Sequence, residues 1–304
     1  MFTTRVLAER GYHQPPRWLP NAVQYECMMG SVGYGVSQDT SDVDLYGFCL
    51  PPLELVFPHM AGEIPGFGRQ VKRFEQYQQH HIQSPDELGG KGREYDVTIF
   101  SIVKFFQLAM ENNPNMVDAL FAPQTCVLTC TQVGSMVREQ RRLFLHKGSW
   151  HKFKGYAYSQ KNKMFTKVPT EESSRREAFE RHGFDVKAGY HTVRLMLQVE
   201  QILTEGDLDL QRHREQIKAI RAGEWTAEQI AQFFQDKERA LEALYTTSPL
   251  PHTPPEEKIK ALLVQCLEHH YGSLAQFRKT PLAMDADHLA ALREIKEICE
   301  RAGA

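Results

Sequence analysis

The sequence has no long apolar run and few cysteines. Its 304 residues contain no stretch of 18 consecutive apolar residues, and the first five residues lead into a polar segment without the apolar core of a signal peptide. We therefore expect a soluble, cytoplasmic protein that has no membrane partner. The six cysteines are sparse for this length and are expected to stay reduced. The formal net charge of −2 excludes no class of partner.

Two common nucleotide-binding motifs and a zinc motif are also missing. The glycine-rich residues 30–35 are not followed by the lysine of a P-loop, and position 38 is Gln where a dinucleotide fingerprint requires glycine. Cys126 and Cys130 have no second cysteine pair at a ligand-like spacing, so the pattern favours a short core strand there over a zinc site.

A strand, a glycine turn and two aspartates follow one another near the N-terminus. Residues 22–29 alternate apolar and polar side chains, which predicts a strand that ends at Gly30. Glycine lets the backbone come close to a ligand, and the amides that open a short helix, with the Ser31 hydroxyl, would form an anion cradle. A second alternating stretch follows the turn and would place Asp42 and Asp44 on one face of a strand.

Two carboxylates on one face repel each other unless a cation lies between them, so we expect divalent metal ions and a third carboxylate. Residues 91–100 alternate in the same way and would carry Asp96 on a strand, before a helix that Ser101 caps. A lone Asp-x-Asp is more often a solvated turn at the end of a strand. The upstream glycine-serine turn and Asp96 together favour a metal site over that alternative.

These motifs resemble a known family. Gly30-Ser31 with Asp42-x-Asp44 is similar to the signature of the DNA polymerase β nucleotidyltransferase superfamily. Residues 20–205 resemble, more narrowly, the RNA-repair-associated polymerase-β-like nucleotidyltransferases of bacteria and phages. The stretches that carry this resemblance are Ser41–Gly47, Tyr95–Thr98, Asn112–Asn115 and Lys187–Arg194.

The resemblance implies an α/β (α+β) polymerase-β-like core, Mg²⁺ or Mn²⁺, and transfer of a nucleoside monophosphate from an NTP to a hydroxyl. In this reading Asp42, Asp44 and Asp96 are the catalytic and metal-binding residues, and Gly30 and Ser31 hold the β- and γ-phosphates. The NTP and RNA are the implied partners.

The second half of the chain has helical periodicity. We predict a nucleotidyltransferase core over residues 1–135 and a mainly helical domain over residues 136–304, with the active site in the cleft between them. The predicted helices after residue 189 are 189–205, 208–222, 226–244, 255–278 and 285–302.

Several residues of the helical half could contact the triphosphate or the acceptor. Lys187, Tyr190, His191 and Arg194 are spaced i, i+3, i+4 and i+7, so they share one face of a helix. Two cations, a phenol and an imidazole on one face suit a triphosphate or a departing pyrophosphate. Lys154 is a further candidate. Without the family resemblance, an ordinary surface helix with salt bridges is the better interpretation.

A basic stretch with aromatic residues runs from residue 138 to residue 194. It contains fourteen Lys and Arg against six Asp and Glu, a difference of +8. Aromatic residues lie among these cations at Trp150, Phe153, Tyr156, Tyr158 and Phe165. Because cations neutralise phosphates and rings stack on bases, the pattern predicts an RNA or DNA track. The alternative is a solvated segment whose acidic neighbours lie elsewhere in the fold.

The function that these observations favour is nucleotidyl transfer to RNA, in 3′-end repair or tailing. The same chemistry on a small molecule or a protein hydroxyl, and a catalytically silent RNA-binding module, are the alternatives. The sequence leaves open the base of the NTP, the oligomeric state and whether the Gly89–Gly92 loop closes over the site.

Overall fold

A computed structural model describes residues 1–37, 41–56, 73–166 and 176–272 of the chain. The chain divides into two compact units, Met1–Cys266 and Leu267–Ala304. The elements that position the candidate site all lie in the first unit. The domain boundary expected between residues 135 and 136 stays a prediction.

In the described part of the chain, five strands form one mixed sheet. They are β1 (Val23–Met28), β2 (Val43–Cys49), β3 (Gln76–Ser84), β4 (Arg93–Ser101) and β5 (Val127–Cys130). Their order across the sheet is β3-β4-β2-β1-β5. β2 and β4 run parallel, whereas the other neighbouring pairs are antiparallel. The strands predicted to carry the aspartates are therefore direct neighbours near the centre of the sheet.

Helices make up most of the remaining described residues. In chain order they are α1 (Thr4–Glu9), α2 (Leu19–Ala22), α3 (Gly30–Gly33), α4 (Leu53–Val56), α5 (Ile102–Met110), α6 (Pro114–Leu120), α7 (Gln132–Glu139), α8 (Ser149–Thr166), α9 (Arg176–His182), α10 (Val186–Glu205), α11 (Arg214–Arg221), α12 (Ala227–Thr247) and α13 (Glu256–Tyr271). Across the described residues, no helix has both the length and the apolar character needed to span a bilayer.

The two faces of β2 differ in chemistry. Val43 and Leu45 are fully buried in the apolar core, whereas Asp44 and Tyr46 are only half-buried on the opposite face. Full burial of such a side chain contributes about 1.5–3 kcal/mol. A register slip of one residue would turn Asp44 into the core and the apolar residues outward. The core therefore fixes the side of the sheet on which the carboxylate lies.

Helix α10 packs against α8 and α12, and most of its residues are buried. The Asp185 carboxylate accepts a hydrogen bond from the Ala188 amide and caps the helix, and Gly206 ends it with φ +63°. Lys187 lies in the first turn and is exposed. The cap thus places an exposed lysine at the beginning of a helix that is otherwise part of the core.

Several sequence predictions agree with these elements. A sheet-bearing N-terminal part followed by helices is confirmed, and β1 lies inside the strand predicted at residues 22–29. Ser101 caps α5, as predicted, by accepting from the Lys104 amide. The helix predicted at residues 285–302 lies outside the described residues. The strand predicted in the core near Cys126 is β5, but β5 lies at the sheet edge and is half-exposed.

Candidate active site

Asp44 and Asp96 are partners in the parallel pair formed by β2 and β4. Neighbouring strands are about 4.8 Å apart, and paired residues project to the same face of a sheet. Both side chains are half-buried, and Asp42, which immediately precedes β2, is exposed. The structure thus brings together the three carboxylates that the sequence analysis selected from two separate segments.

Gly30 lies directly behind the Asp44 carboxylate. Its φ is +59°, a conformation that favours glycine, and a Cβ at this position would lie 2.0 Å from Asp44 Oδ2. The Met29 amide also donates to the Asp44 carbonyl over 2.7 Å. The glycine turn and the aspartate are therefore in contact, and only glycine leaves the carboxylate in its place.

The carboxylates and Lys187 perturb one another electrostatically. Burial raises the pKa of Asp44 to about 6, with Asp96 and Asp42 contributing to the rise and Lys187 opposing it. The pKa of Asp42 is raised as well, first by burial and then by the charge of Glu94, and Lys187 again opposes the rise. Lys187 therefore lies close enough to both aspartates to stabilise their charged forms.

Three further side chains, those of His80, His81 and Glu94, lie next to Asp96. His80 Nδ1 lies 3.1 Å from Asp96 Oδ2, and the His81 amide donates to Asp96 Oδ1 over 2.9 Å. His81 Nδ1 lies 2.6 Å from Glu94 Oε1, and the interaction raises the pKa of His81. The register of β3 and β4 shifts between Gln79 and Ile82, and His81 has φ +57°. This bulge turns both histidines towards β4.

These donors fit a divalent cation. One ligand atom each from His81, Glu94 and Asp96 lies within 4.8 Å of the others. Carboxylate oxygens are the ligands that Mg²⁺ and Mn²⁺ prefer, and an imidazole favours the transition metal of the two. Asp42 and Asp44 add two more carboxylates on the same side of β2.

The other candidate residues of α10, which are Tyr190, His191 and Arg194, pack against side chains of the fold. Arg194 is buried, bonds to Asp118 over 2.7 Å and to Gln198, and lies over the Tyr34 ring. Tyr190 is buried beneath Arg221, with its ring centroid 4.2 Å from that of half-exposed His191. Arg194 thus connects α10 to the glycine turn through Tyr34.

Several cations of the basic stretch form ion pairs with carboxylates from other parts of the fold, which reduces the positive charge of its surface. Lys154 bonds to Glu238 over 2.9 Å and lies 3.7 Å from Glu242, both on α12. Lys152 pairs with Glu111, and Arg142 with Asp207. Of the aromatic residues, two are in the core and three are exposed on α8; the buried pair is Trp150 and Phe153, and the exposed set is Tyr156, Tyr158 and Phe165. Lys167 and Arg175 lie outside the described residues.

Two further side chains of the helical half hold the glycine turn. Gln211 donates to the Gly33 carbonyl over 3.2 Å, and Arg221 donates to the Val36 carbonyl over 2.6 Å. The Tyr34 hydroxyl donates to Asp118 over 2.8 Å. The helices therefore contribute to the site by fixing the turn as well as by presenting Lys187.

Sequence reasoning missed several of these residues. Glu94 was detectable, because it precedes Asp96 by two positions and so shares its face of β4. The sequence did not indicate a role for His80 and His81, because the alternation of apolar and polar residues does not reveal the bulge that orients them. Asp118 lies on helix α6, which is almost wholly buried, and has no motif around it.

The geometry of a glycine turn against a strand aspartate, with a second aspartate on the parallel neighbour, is that of polymerase-β-type nucleotidyltransferases. The comparison with protein families agrees. Residues 18–265 match the RlaP family, the RNA repair pathway DNA polymerase beta family. The chain belongs to this family and is a nucleotidyltransferase with a polymerase-β-like α/β core.

A search of the curated proteins finds no match. Among solved structures, the chain is similar to a nucleotidyltransferase-like protein from Exiguobacterium sibiricum 255-15, with 13% sequence identity and a TM-score of 0.28. That match covers 99% of this chain and 90% of the other.

Proposed function

We propose that the protein transfers a nucleoside monophosphate from an NTP to a hydroxyl of RNA, in 3′-end repair or tailing, and that it requires Mg²⁺ or Mn²⁺. The observation that carries the proposal is the pairing of Asp44 with Asp96 on parallel strands, with Gly30 against Asp44. Membership of an RNA repair pathway family supports RNA as the acceptor.

Asp42, Asp44 and Asp96 would hold the cation. When bound, it would lower the pKa of the acceptor hydroxyl and stabilise the charge of the departing pyrophosphate. The chain's own contribution is orientation. Gly30 keeps the Asp44 carboxylate in place. The hydrogen bond from the His81 amide and the nearby His80 imidazole hold the carboxylate of Asp96.

Gly30 and Ser31 would contact the β- and γ-phosphates. The first amides of a helix have no partner within that helix, and they open α3 at this point. Lys187 faces the same carboxylates and supplies a positive charge for the triphosphate. His191 lies one turn further along α10 and is a second candidate. We expect Arg194 and Tyr190 to act by positioning, since both are buried.

In the proposed reaction, the acceptor oxygen forms a bond to the α-phosphorus as the bond to the β-phosphate oxygen breaks. The hydroxyl proton leaves and pyrophosphate is released. Catalysis of this kind depends mainly on positioning and on electrostatic stabilisation. Lys187 is suited to electrostatic stabilisation, because it lies beside the aspartates and its positive charge would stabilise the negative charge that develops on pyrophosphate.

The test is to incubate the purified protein with each α-labelled NTP, Mg²⁺ or Mn²⁺, total RNA, total protein and a small-molecule extract. Label in RNA is the expected result. Label only in protein or only in a small molecule would show that this class of molecule, and not RNA, is the acceptor. No label in any fraction would overturn the proposal. Asp42→Asn and Asp44→Asn should abolish incorporation, whereas Asp236→Asn on the exposed face of α12 is the matched control.

A further inference from the structure

Residues 30–36, which we call the turn segment, are connected by hydrogen bonds of their own backbone. The Tyr34 amide donates to the Gly30 carbonyl over 3.2 Å, and the Val36 amide donates to the Ser31 carbonyl over 2.9 Å. Each of these bonds closes a short ring of the chain. A displacement at Val36 is therefore passed along the backbone to Gly30, which lies against the Asp44 carboxylate.

The far end of the turn segment is held by two side chains of the helical half. Arg221 Nη1 donates to the Val36 carbonyl over 2.6 Å, and Gln211 Nε2 donates to the Gly33 carbonyl over 3.2 Å. The Gln211 side chain also packs against Gly35, where an added Cβ would lie 3.2 Å from Gln211 Cδ. The turn segment is thus fixed at both ends, by Asp44 on one side and by these two donors on the other.

Both donors are themselves attached to α10. The guanidinium carbon of Arg221 lies 5.4 Å from the ring centroid of Tyr190, which is buried on α10. The Gln211 amide donates to Asp209 Oδ1 over 2.9 Å. The side chain of Gln201, also on α10, bonds to both the backbone amide and the carbonyl of Asp209. The donors therefore place the turn segment relative to the helix that presents Lys187.

Arg221 directs its charge at a carbonyl rather than at a carboxylate. In the part of the chain that the structure describes, no Asp or Glu forms an ion pair with it. A hydrogen bond from a charged donor is stronger than one between neutral groups. The bond to Val36 is therefore the stronger of the two that hold the turn segment.

We propose that Arg221 and Gln211 are positioning residues, which hold the turn segment so that Gly30 keeps the Asp44 carboxylate in the orientation that nucleotidyl transfer requires. The inference rests on the proposed function. The effect of the two side chains reaches Asp44 through the backbone of the turn segment, so they act on the rate of transfer without binding the substrate.

The variants for the test are Arg221→Ala, Arg221→Lys and Arg221→Ala combined with Gln211→Ala. Both residues are half-buried, so their truncation leaves the core closed. Arg221→Lys keeps a cationic donor. Arg141→Ala is the matched control, because Arg141 is also half-buried and its Nη1 donates to the carbonyl of Arg138 on α7 over 2.9 Å.

The first measurement is kcat and KM for the NTP in the label-incorporation assay with the full-length protein. A shift of about 1 Å in a reacting group can lower the rate about 100-fold, so we expect Arg221→Ala to lower kcat about 10-fold or more, and the double variant to lower it further. Arg221→Lys should recover most of the loss, and Arg141→Ala should keep the wild-type kcat. A raised KM with an unchanged kcat, or an equal loss in Arg141→Ala, would overturn the proposal.

A double-mutant cycle with Gly30→Ala tests the route of the effect. If Arg221 acts through the contact between Gly30 and Asp44, adding Arg221→Ala to Gly30→Ala should lower kcat little further. Two losses that multiply would show that Arg221 acts elsewhere.

Hydrogen exchange gives a measurement that does not depend on activity. The amides of Tyr34 and Val36 should exchange faster in Arg221→Ala than in the wild type, and Arg141→Ala should leave them unchanged. Unchanged exchange in Arg221→Ala would overturn the proposal. A wild-type protein that transfers no label would instead overturn the proposed function, and exchange would still decide whether Arg221 holds the turn segment.

Discussion

Replacing Gly30 with alanine tests the contact between the glycine turn and Asp44. The added Cβ would lie 2.0 Å from Asp44 Oδ2, whereas ordinary contact begins at 3.4 Å. The carboxylate must therefore move by about 1.4 Å. It lies at the end of a short side chain, so it can move without opening the core.

The two expected effects of Gly30→Ala differ in size. A non-glycine residue at φ +59° costs about 1–2 kcal/mol of folding free energy. A displacement of about 1 Å in a reacting group can lower the rate about 100-fold. We therefore expect nucleotidyl transfer to fall about 100-fold or more, while the free energy of unfolding falls by only about 1–2 kcal/mol.

Urea denaturation and initial rates of label incorporation from an α-labelled NTP would measure these effects. Gly11→Ala is the matched control, because Gly11 has φ +75° and its Cβ would meet no atom within 4 Å. It should lose similar stability and keep full activity. If Gly30→Ala retained more than about a third of the wild-type rate, a close contact between this glycine and a catalytic carboxylate would be refuted.

Glu26, Lys187 and Asp118 give three further tests. Burial raises the pKa of Glu26 to about 7, so the folded state keeps a proton that the unfolded chain releases near pH 4.5. The free energy of unfolding should therefore fall by about 3 kcal/mol between pH 4.5 and 7, and urea denaturation of Glu26→Gln should lack this decline. Lys187→Ala should lower kcat/KM for the NTP by about 10-fold or more, whereas Lys154→Ala, whose lysine pairs with α12, should stay within about twofold; an equal effect in both would contradict the assignment. Asp118→Asn leaves the buried Arg194 guanidinium without its counter-charge and should cost about 3–5 kcal/mol, and a double-mutant cycle with Arg194→Met should show less than additive loss if the two side chains are coupled.

The carboxylates of the candidate site could be selected from the sequence for a local reason. Alternation along a strand determines which residues share a face, so Asp42 and Asp44 could be paired from spacing alone. The cap at Ser101 could be predicted similarly, since it depends on one side chain and on an amide three residues away.

The roles of the cations could not be predicted in this way. Spacing placed Lys187 and Arg194 on one face of a helix, yet one is exposed beside the aspartates and the other is buried against Asp118. Lys154 has its partners on α12, more than eighty residues away along the chain. The state of a cation depends on which distant carboxylate packs against it, and no local pattern contains that information.

The amino-acid sequence alone determined the glycine turn, the strand periodicity and the choice of the three aspartates as candidate site residues, because these depend on neighbours within a few residues. Only the tertiary structure decided that β2 and β4 are parallel partners with Asp44 beside Asp96. It also decided that a bulge in β3 brings His80 and His81 to that pair. Strand order and bulges follow from how the whole core packs, so they arise only when segments far apart along the chain come into contact.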